Sequence, residues 1–203
     1  MAVITLPSKV YFEQVDKLQL LRSSVSLRSK YTGKRQVVTF PFALWVFEGT
    51  LVSMQGSDAA EWRSFLVELE GPKNTFRLPV PGHPGPLTGY SGPQGVTSAI
   101  AAARAKSIAT SGWAANVALL KRGDYFTIND ELKICTSPVS TNGTGNATIS
   151  FEPGLRKPLT AGVTVKVFDP HIYLAAQRED AAEWRLEHPV QHSIKLTAIE
   201  AFS

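Results

Sequence analysis

The side chains whose types and spacing could do chemistry are few. Cys135 is the single cysteine, so it has no disulfide partner and no second thiolate to share a metal. Flanked by Ile134 and Thr136 in a strand-like run, it reads as a small buried hydrophobe, because a nucleophilic thiolate needs an exposed, electropositive setting. His188 and His192 stand four apart, which on a helix would bring two metal ligands together, but Pro189 and the strand-like surroundings argue against a helix and no third ligand is in view. Asp124, Asp130 and Glu131 place carboxylates near one another, as an acid/base pair requires. They fall at turns, where aspartate is favoured because it hydrogen-bonds local backbone. Asn142-Gly-Thr and Asn146-Ala-Thr match the glycosylation pattern and are better explained as hairpin-turn chemistry. The chain has no glycine-rich nucleotide loop, no Gly-x-Ser-x-Gly elbow and no His-Glu-x-x-His pair. No cofactor and no enzymatic activity are expected from this inventory.

Charge is the remaining chemical signal. The formal net charge is +4, and it is unevenly spread: between Asp16 and Gln36 lie Lys17, Arg22, Arg28, Lys30, Lys34 and Arg35 against Asp16 alone. Such a cluster could meet phosphates. It lacks the interleaved aromatics of a single-strand binder, and no recognition-helix pattern follows it. A solvated face, or a surface pairing with acidic groups of a neighbouring subunit, fits better than sequence-specific nucleic-acid binding. With 43% hydrophobic residues and a mean hydropathy of −0.04, the chain has a globular composition. It has no apolar run of the roughly 18 residues a membrane span needs, and the start MAVITLPSKVYFEQ lacks the layout of a secretion signal. No membrane anchor is expected, and synthesis in a cytosol is.

The elements around these residues are mostly strands. Residues 1–28 alternate loosely, with Val10, Phe12, Val15, Leu18, Leu20, Val25 and Leu27 as candidate inward positions. They read as two strands broken near Asp16, with Leu18–Arg22 also able to form a short turn of helix. Residues 35–47 are β-branched and aromatic, and Pro41 within them implies an edge or a bulge. One helix is expected at about residues 58–70: Ser57 as N-cap, Asp58 and Glu61 in the first turn, and an apolar stripe of Trp62, Phe65, Leu66 and Leu69. Gly71-Pro72 ends it.

A short strand at residues 74–78 precedes a Pro/Gly-rich segment, residues 79–95, that cannot be regular. Loops of this length usually contact something, and His83 and Tyr90 on it are candidate partner contacts, together with Arg28, Lys30, Lys34 and Arg35 of the basic segment. Residues 96–112 divide into a weak helix or loop to about Ala103 and then a strand. From residue 119 to 166 the chain is a meander of short apolar runs punctuated at Gly123-Asp124, Asn129-Asp130 and Asn142–Asn146, the signature of antiparallel hairpins. The last strands are residues 168–175 and 192–202, the latter with Ile194, Leu196, Ala198 and Glu200 on one face. Asp58–Arg63 and Asp180–Arg185 are identical hexapeptides. Their flanks differ, so Trp62 is expected in a helix and Trp184 in a strand or loop.

Three stretches together resemble one family: AAEWRSFLVELEGPKNTFRLPVPG, LLKRGDYFTINDELKICTSPVSTNGTGNATISFEPGLR and HSIKLTAIEAF. They cover about half the chain and are similar to the distal tail proteins of long-tailed bacteriophages, at the junction of tail tube and tip. The resemblance implies a single β-rich domain over residues 1–203, a β-barrel or β-sandwich with one packed helix, related to the tail-tube fold. It also implies a homo-oligomeric, hexameric ring in the virion tail tip, with the tail tube protein on one face and the tail hub or baseplate protein on the other. The chain is too short for the extra carbohydrate-binding-like domain of some members, which favours a ring adaptor over a receptor binder. Two other readings start from the residues alone. A carbohydrate-binding β-sandwich for host-surface recognition would use Trp113, Tyr90 and Tyr173 as exposed aromatics, and a cell-wall hydrolase would need the carboxylates or metal ligands discounted above.

Overall fold

A computed structural model describes residues 1–7, 12–51, 54, 56–178, 182–187 and 191–202. Val10, Asp180 and His188 lie outside the described residues, and with them the inward placement of Val10 and the His188–His192 pair. The chain is mainly β with a single helix and a nearly closed barrel-like sheet.

The barrel is built from the second half of the sequence. Its six strands are β5 (Val96–Thr97), β6 (Ser107–Ser111), β8 (Tyr125–Ile128), β9 (Glu131–Cys135), β11 (Ala147–Glu152) and β12 (Val165–Lys166), in the order β12-β8-β9-β11-β6-β5. A bridge between Val96 and Thr164, with Val165 N–H donating to Gly95 O, draws the two end strands together. β7 (Ala118–Leu120) and β10 (Val139–Ser140) pair beside it as a separate two-stranded sheet. Period-2 alternation fills the interior: Ile108, Phe126, Ile128, Ile149, Phe151 and Val165 all point inward and are buried. The β8–β9 turn has positive φ at both Asn129 and Asp130, the geometry of a tight two-residue hairpin.

The second body is a seven-stranded sheet. It contains β1 (Val3–Ile4), β2 (Phe12–Arg28), β3 (Arg35–Leu51), β4 (Thr75–Pro79), β13 (His171–Ala176), β14 (Ala182–Glu187) and β15 (Gln191–Glu200). The order is β1-β4-β13-β15-β3-β2, with β14 also on β15. One face carries Trp45, Phe47, Phe76, Ile172, Leu174, Ile194, Leu196 and Ala198. The helix α1 (Gly56–Leu69) covers part of that face with Trp62, Phe65 and Leu69 buried and Leu66 packed at its margin. Leu132 of β9 belongs to the same cluster, and the Trp45 indole N–H donates to Leu132 O at 3.1 Å. The β8–β9 hairpin is therefore a common wall: Phe126 and Ile128 face the barrel core, and Tyr125, Leu132 and Ile134 face the sheet.

Several expectations are corrected in detail. Residues 12–28 form one continuous strand with no helical turn, and the expected break at Asp16 is a register irregularity between Val15 and Lys17. An unpaired extra residue lets the chain twist without leaving the ladder. Pro41 falls at an irregularity as expected, between the Arg22–Ala43 and Ser24–Thr39 pairs, where no amide donor is needed. The helix starts at Gly56, which puts Ser57 in the first turn instead of the cap. No helix forms over residues 96–103; Ala101 bridges Leu159 in the barrel wall, so pairing overrides alanine's helix propensity. The two copies of the repeated hexapeptide do behave as expected: Trp184 is in strand β14 and Trp62 in α1.

Candidate subunit-contact surface

β2 and β3 continue well past the body of the sheet. β15 reaches β3 only as far as Val46, so beyond it the two strands have no other ladder partner among the described residues. From Leu21 to Phe40 every residue is exposed, and the ribbon runs out by roughly 20 Å at the usual rise per residue. It turns at residues 29–34, where the Ser29 hydroxyl accepts from the Tyr31 and Thr32 amides. Cross-strand register places Val25 opposite Val38 and Leu27 opposite Gln36 on one face, and Ser26 opposite Val37 and Arg28 opposite Arg35 on the other. The Arg35 Nε–H donates to Ser26 Oγ at 2.7 Å, which fixes that second face.

This arm carries Arg28, Lys30, Lys34 and Arg35, four of the residues expected to meet a partner, and brings them together at one exposed tip. Arg28, Lys30 and Lys34 form no ion pair among the described residues. Nearer the body the basic residues are paired: Lys17 with Glu48 at 3.5 Å and Arg22 with Glu152 at 3.1 Å. Leu27 is 60% and Tyr31 99% exposed. An isolated two-stranded hairpin is marginal in water, and apolar side chains displayed this way mark contact surfaces.

His83 and Tyr90 are corrected. Both are buried in the barrel wall, not displayed to a partner. The Tyr125 amide donates to His83 Nε2 at 3.1 Å. The Tyr90 hydroxyl donates to Pro93 O and accepts from the Ala114 amide, and its ring stacks on Phe168. The loop is irregular as expected, yet it is tied down along its length: Thr88 Oγ1 donates to Leu119 O and the Leu87 amide donates to Asp124. Trp113 is buried too, its indole donating to Thr110 Oγ1, and Tyr173 is half-buried. The aromatics expected to form a sugar platform are thus not a shared exposed surface.

The other sequence candidates resolve as structure. Asp124 is fully buried and accepts from the Lys121 and Leu87 amides, Asp130 is an exposed turn residue, and Cys135 is buried with its thiol donating to Ser137 O. Burial raises the Cys135 pKa above the ordinary thiol value, which keeps it a poor nucleophile. Asn142 Oδ1 accepts from the amides of Thr144 and Asn146, the expected turn chemistry.

Glu131, expected at a turn, begins β9 and is part of a buried charge network. Lys133 Nζ, with no solvent exposure, donates to Glu131 Oε2 at 2.6 Å and to Gly154 O at 3.0 Å. The Arg156 amide donates to Glu131, and its guanidinium donates to Glu200 Oε2 at 2.6 Å and Ala43 O at 2.7 Å. The Trp45 amide also donates to Glu200. Burial lowers the Lys133 pKa, against the pull of Glu131, and raises that of Glu200, against the pull of Arg156. The network joins β9, the 153–156 turn, β3 and β15, so it fastens barrel to sheet. The legible signal was Glu131-x-Lys133, opposite charges two apart on one strand face.

His83 and His171 give the fold a pH dependence. Burial lowers both imidazole pKa values; Asp124 opposes the shift at His83, while at His171 Arg77 and Lys166 add to it and Asp130 opposes it. A folded-state pKa below the unfolded one means the unfolded chain binds the proton more tightly, so stability is intact above about pH 6.5 and declines as pH falls below it. Denaturation curves between about pH 7.5 and 5 should show this decline, with at most ~1.4 kcal/mol per pH unit for each histidine. His83→Gln, which can accept from the Tyr125 amide without titrating, should reduce the slope; an unchanged slope removes His83 from the account.

No family model matches the chain, and no curated protein matches it.

Proposed function

We propose that the chain is a structural subunit of a bacteriophage tail tip, closing head-to-tail into a ring, hexameric by the resemblance of its sequence to distal tail proteins, that joins the tail tube to the tail hub or baseplate. The observation that carries this reading is the exposed arm, residues 21–40, too thin to be stable by itself, with apolar side chains in solvent and with Arg28, Lys30 and Lys34 at its tip in no ion pair among the described residues. The seven-stranded sheet adds a second support. Its edges, β2 on one side and β1 and β14 on the other, have no further strand among the described residues, and open edges invite pairing across subunits. A repeated contact between unlike surfaces closes into a ring when the rotation permits. Its place would be the virion, with synthesis in the host bacterium, and its work would be mechanical instead of catalytic.

Native mass spectrometry at rising protein concentration tests the reading. A discrete closed oligomer, with six copies expected, supports it. A monomer that persists at high concentration, both alone and mixed with tail tube protein, overturns it.

A further inference from the structure

At the root of the arm the ribbon and the barrel enclose a cleft of about 620 Å3. Arg22, Arg104, Lys106 and Arg156 line it against a single carboxylate, Glu152, and Phe40 supplies an apolar wall. Glu152 is already engaged by both Arg22 at 3.1 Å and Lys106 at 2.6 Å. The cleft therefore keeps a surplus of positive charge.

Its floor is shaped to hold that charge. Arg104 has φ of +68°, a conformation that non-glycine residues adopt at a cost, and its exposed guanidinium has no hydrogen bond or ion pair among the described residues. A Cβ on Gly154 would lie 2.8 Å from Arg104 O, so glycine is what permits this close packing of the two wall segments. Arg156 Nε is buried without a hydrogen bond, while the Phe202 ring stacks 3.6 Å from its guanidinium carbon.

The acidic counterpart is on the same chain at the far side of the same sheet. Helix α1 packs over the β4 edge, with Phe65 against Phe76 at 5.5 Å, whereas the cleft adjoins β2 and β3 at the other end of the strand order. The solvent face of the helix presents Glu61 and Glu68 in line about two turns apart, with Val67, 73% exposed, farther round the same face. Glu61 makes no ion pair among the described residues, and Glu68 accepts from its own helix's Ser64 hydroxyl.

We infer that the arm-root cleft is the docking site for the acidic helix face of a second copy of this chain, with Glu61 and Glu68 of that copy meeting Arg104 and its neighbouring cations. This rests on the ring reading and specifies its contact. Opposite charges at opposite edges of one sheet are what a head-to-tail neighbour requires, and a carboxylate next to an exposed valine suits a basic cleft with a phenylalanine wall.

Charge exchange tests it. Arg104→Glu should weaken association at least tenfold by sedimentation velocity, as should Glu61→Lys with Glu68→Lys, and the chain carrying all three changes should recover most of the lost association. Circular dichroism and thermal melting of each variant should match the parent, since all three side chains are exposed; if Arg104→Glu misfolds, Arg104→Gln replaces it, with a smaller loss expected. Raising the salt concentration should weaken the parent's assembly. A parent that assembles while the reversals change nothing, or while the combined variant is not rescued, overturns this contact and leaves the ring standing. A parent that never assembles removes both.

Discussion

Lys133→Ala is expected to lower the unfolding free energy by about 3–5 kcal/mol, read from chemical denaturation, the cost of breaking a buried ion pair from one side. Lys133 is fully enclosed and holds Glu131 and Gly154 O together, so its removal leaves a buried carboxylate and a carbonyl short of donors. The paired change, Lys133→Met with Glu131→Gln, should be much less harmful than the two single changes summed, because neither charge is then stranded. A loss under about 1 kcal/mol for Lys133→Ala would mean that water reaches the site. The effect should be on stability and not on any association of the folded chain, because Lys133 is enclosed and does not line the arm-root cleft.

Replacing residues 24–38 by a two-residue Asn-Gly turn is expected to do the reverse. The excised segment contributes no residue to either buried cluster, so melting should move by only a few degrees, in line with about 1 kcal/mol or less. Association should disappear across the concentration range in which the parent assembles. If the shortened chain still assembles, the arm is not the contact, and the ring reading loses its main support. If the shortened chain melts far lower, the arm belongs to the fold after all.

The sequence made most of the strands legible because their local signals agree with the global fold. In β15 the set Ile194, Leu196, Ala198 and Glu200 does lie on the buried side, although nothing in the alternation shows that Glu200 is held there by Arg156. The stripe of α1 was readable from its spacing, as was the β8–β9 hairpin from Asn129-Asp130. What could not be read depends on long-range packing. Pro and Gly mark residues 79–95 as irregular but do not say that Tyr90 would stack on Phe168, so a loop expected at the surface is instead part of the barrel wall. Ala101–Ala103 favour helix locally and lose to the Leu159 bridge. Among the candidate contacts, Arg28, Lys30, Lys34 and Arg35 were identified by charge alone, and their convergence follows from the length of two strands. Arg104 gave no sequence signal, since its left-handed backbone is imposed by the neighbouring segment that Gly154 admits.

The sign of the arm's charge also bears on symmetry. From Lys17 to Phe47 the chain contains no aspartate or glutamate, so two arms paired at their tips would bring Arg28, Lys30, Lys34 and Arg35 against their own copies. A two-fold dimer through the arms, the simplest way for an exposed hairpin to hide its apolar face, is thereby disfavoured. In a ring of the kind proposed, that repulsion would leave the arm for a surface unlike itself and would keep newly made subunits from a self-pairing that ends assembly before it closes.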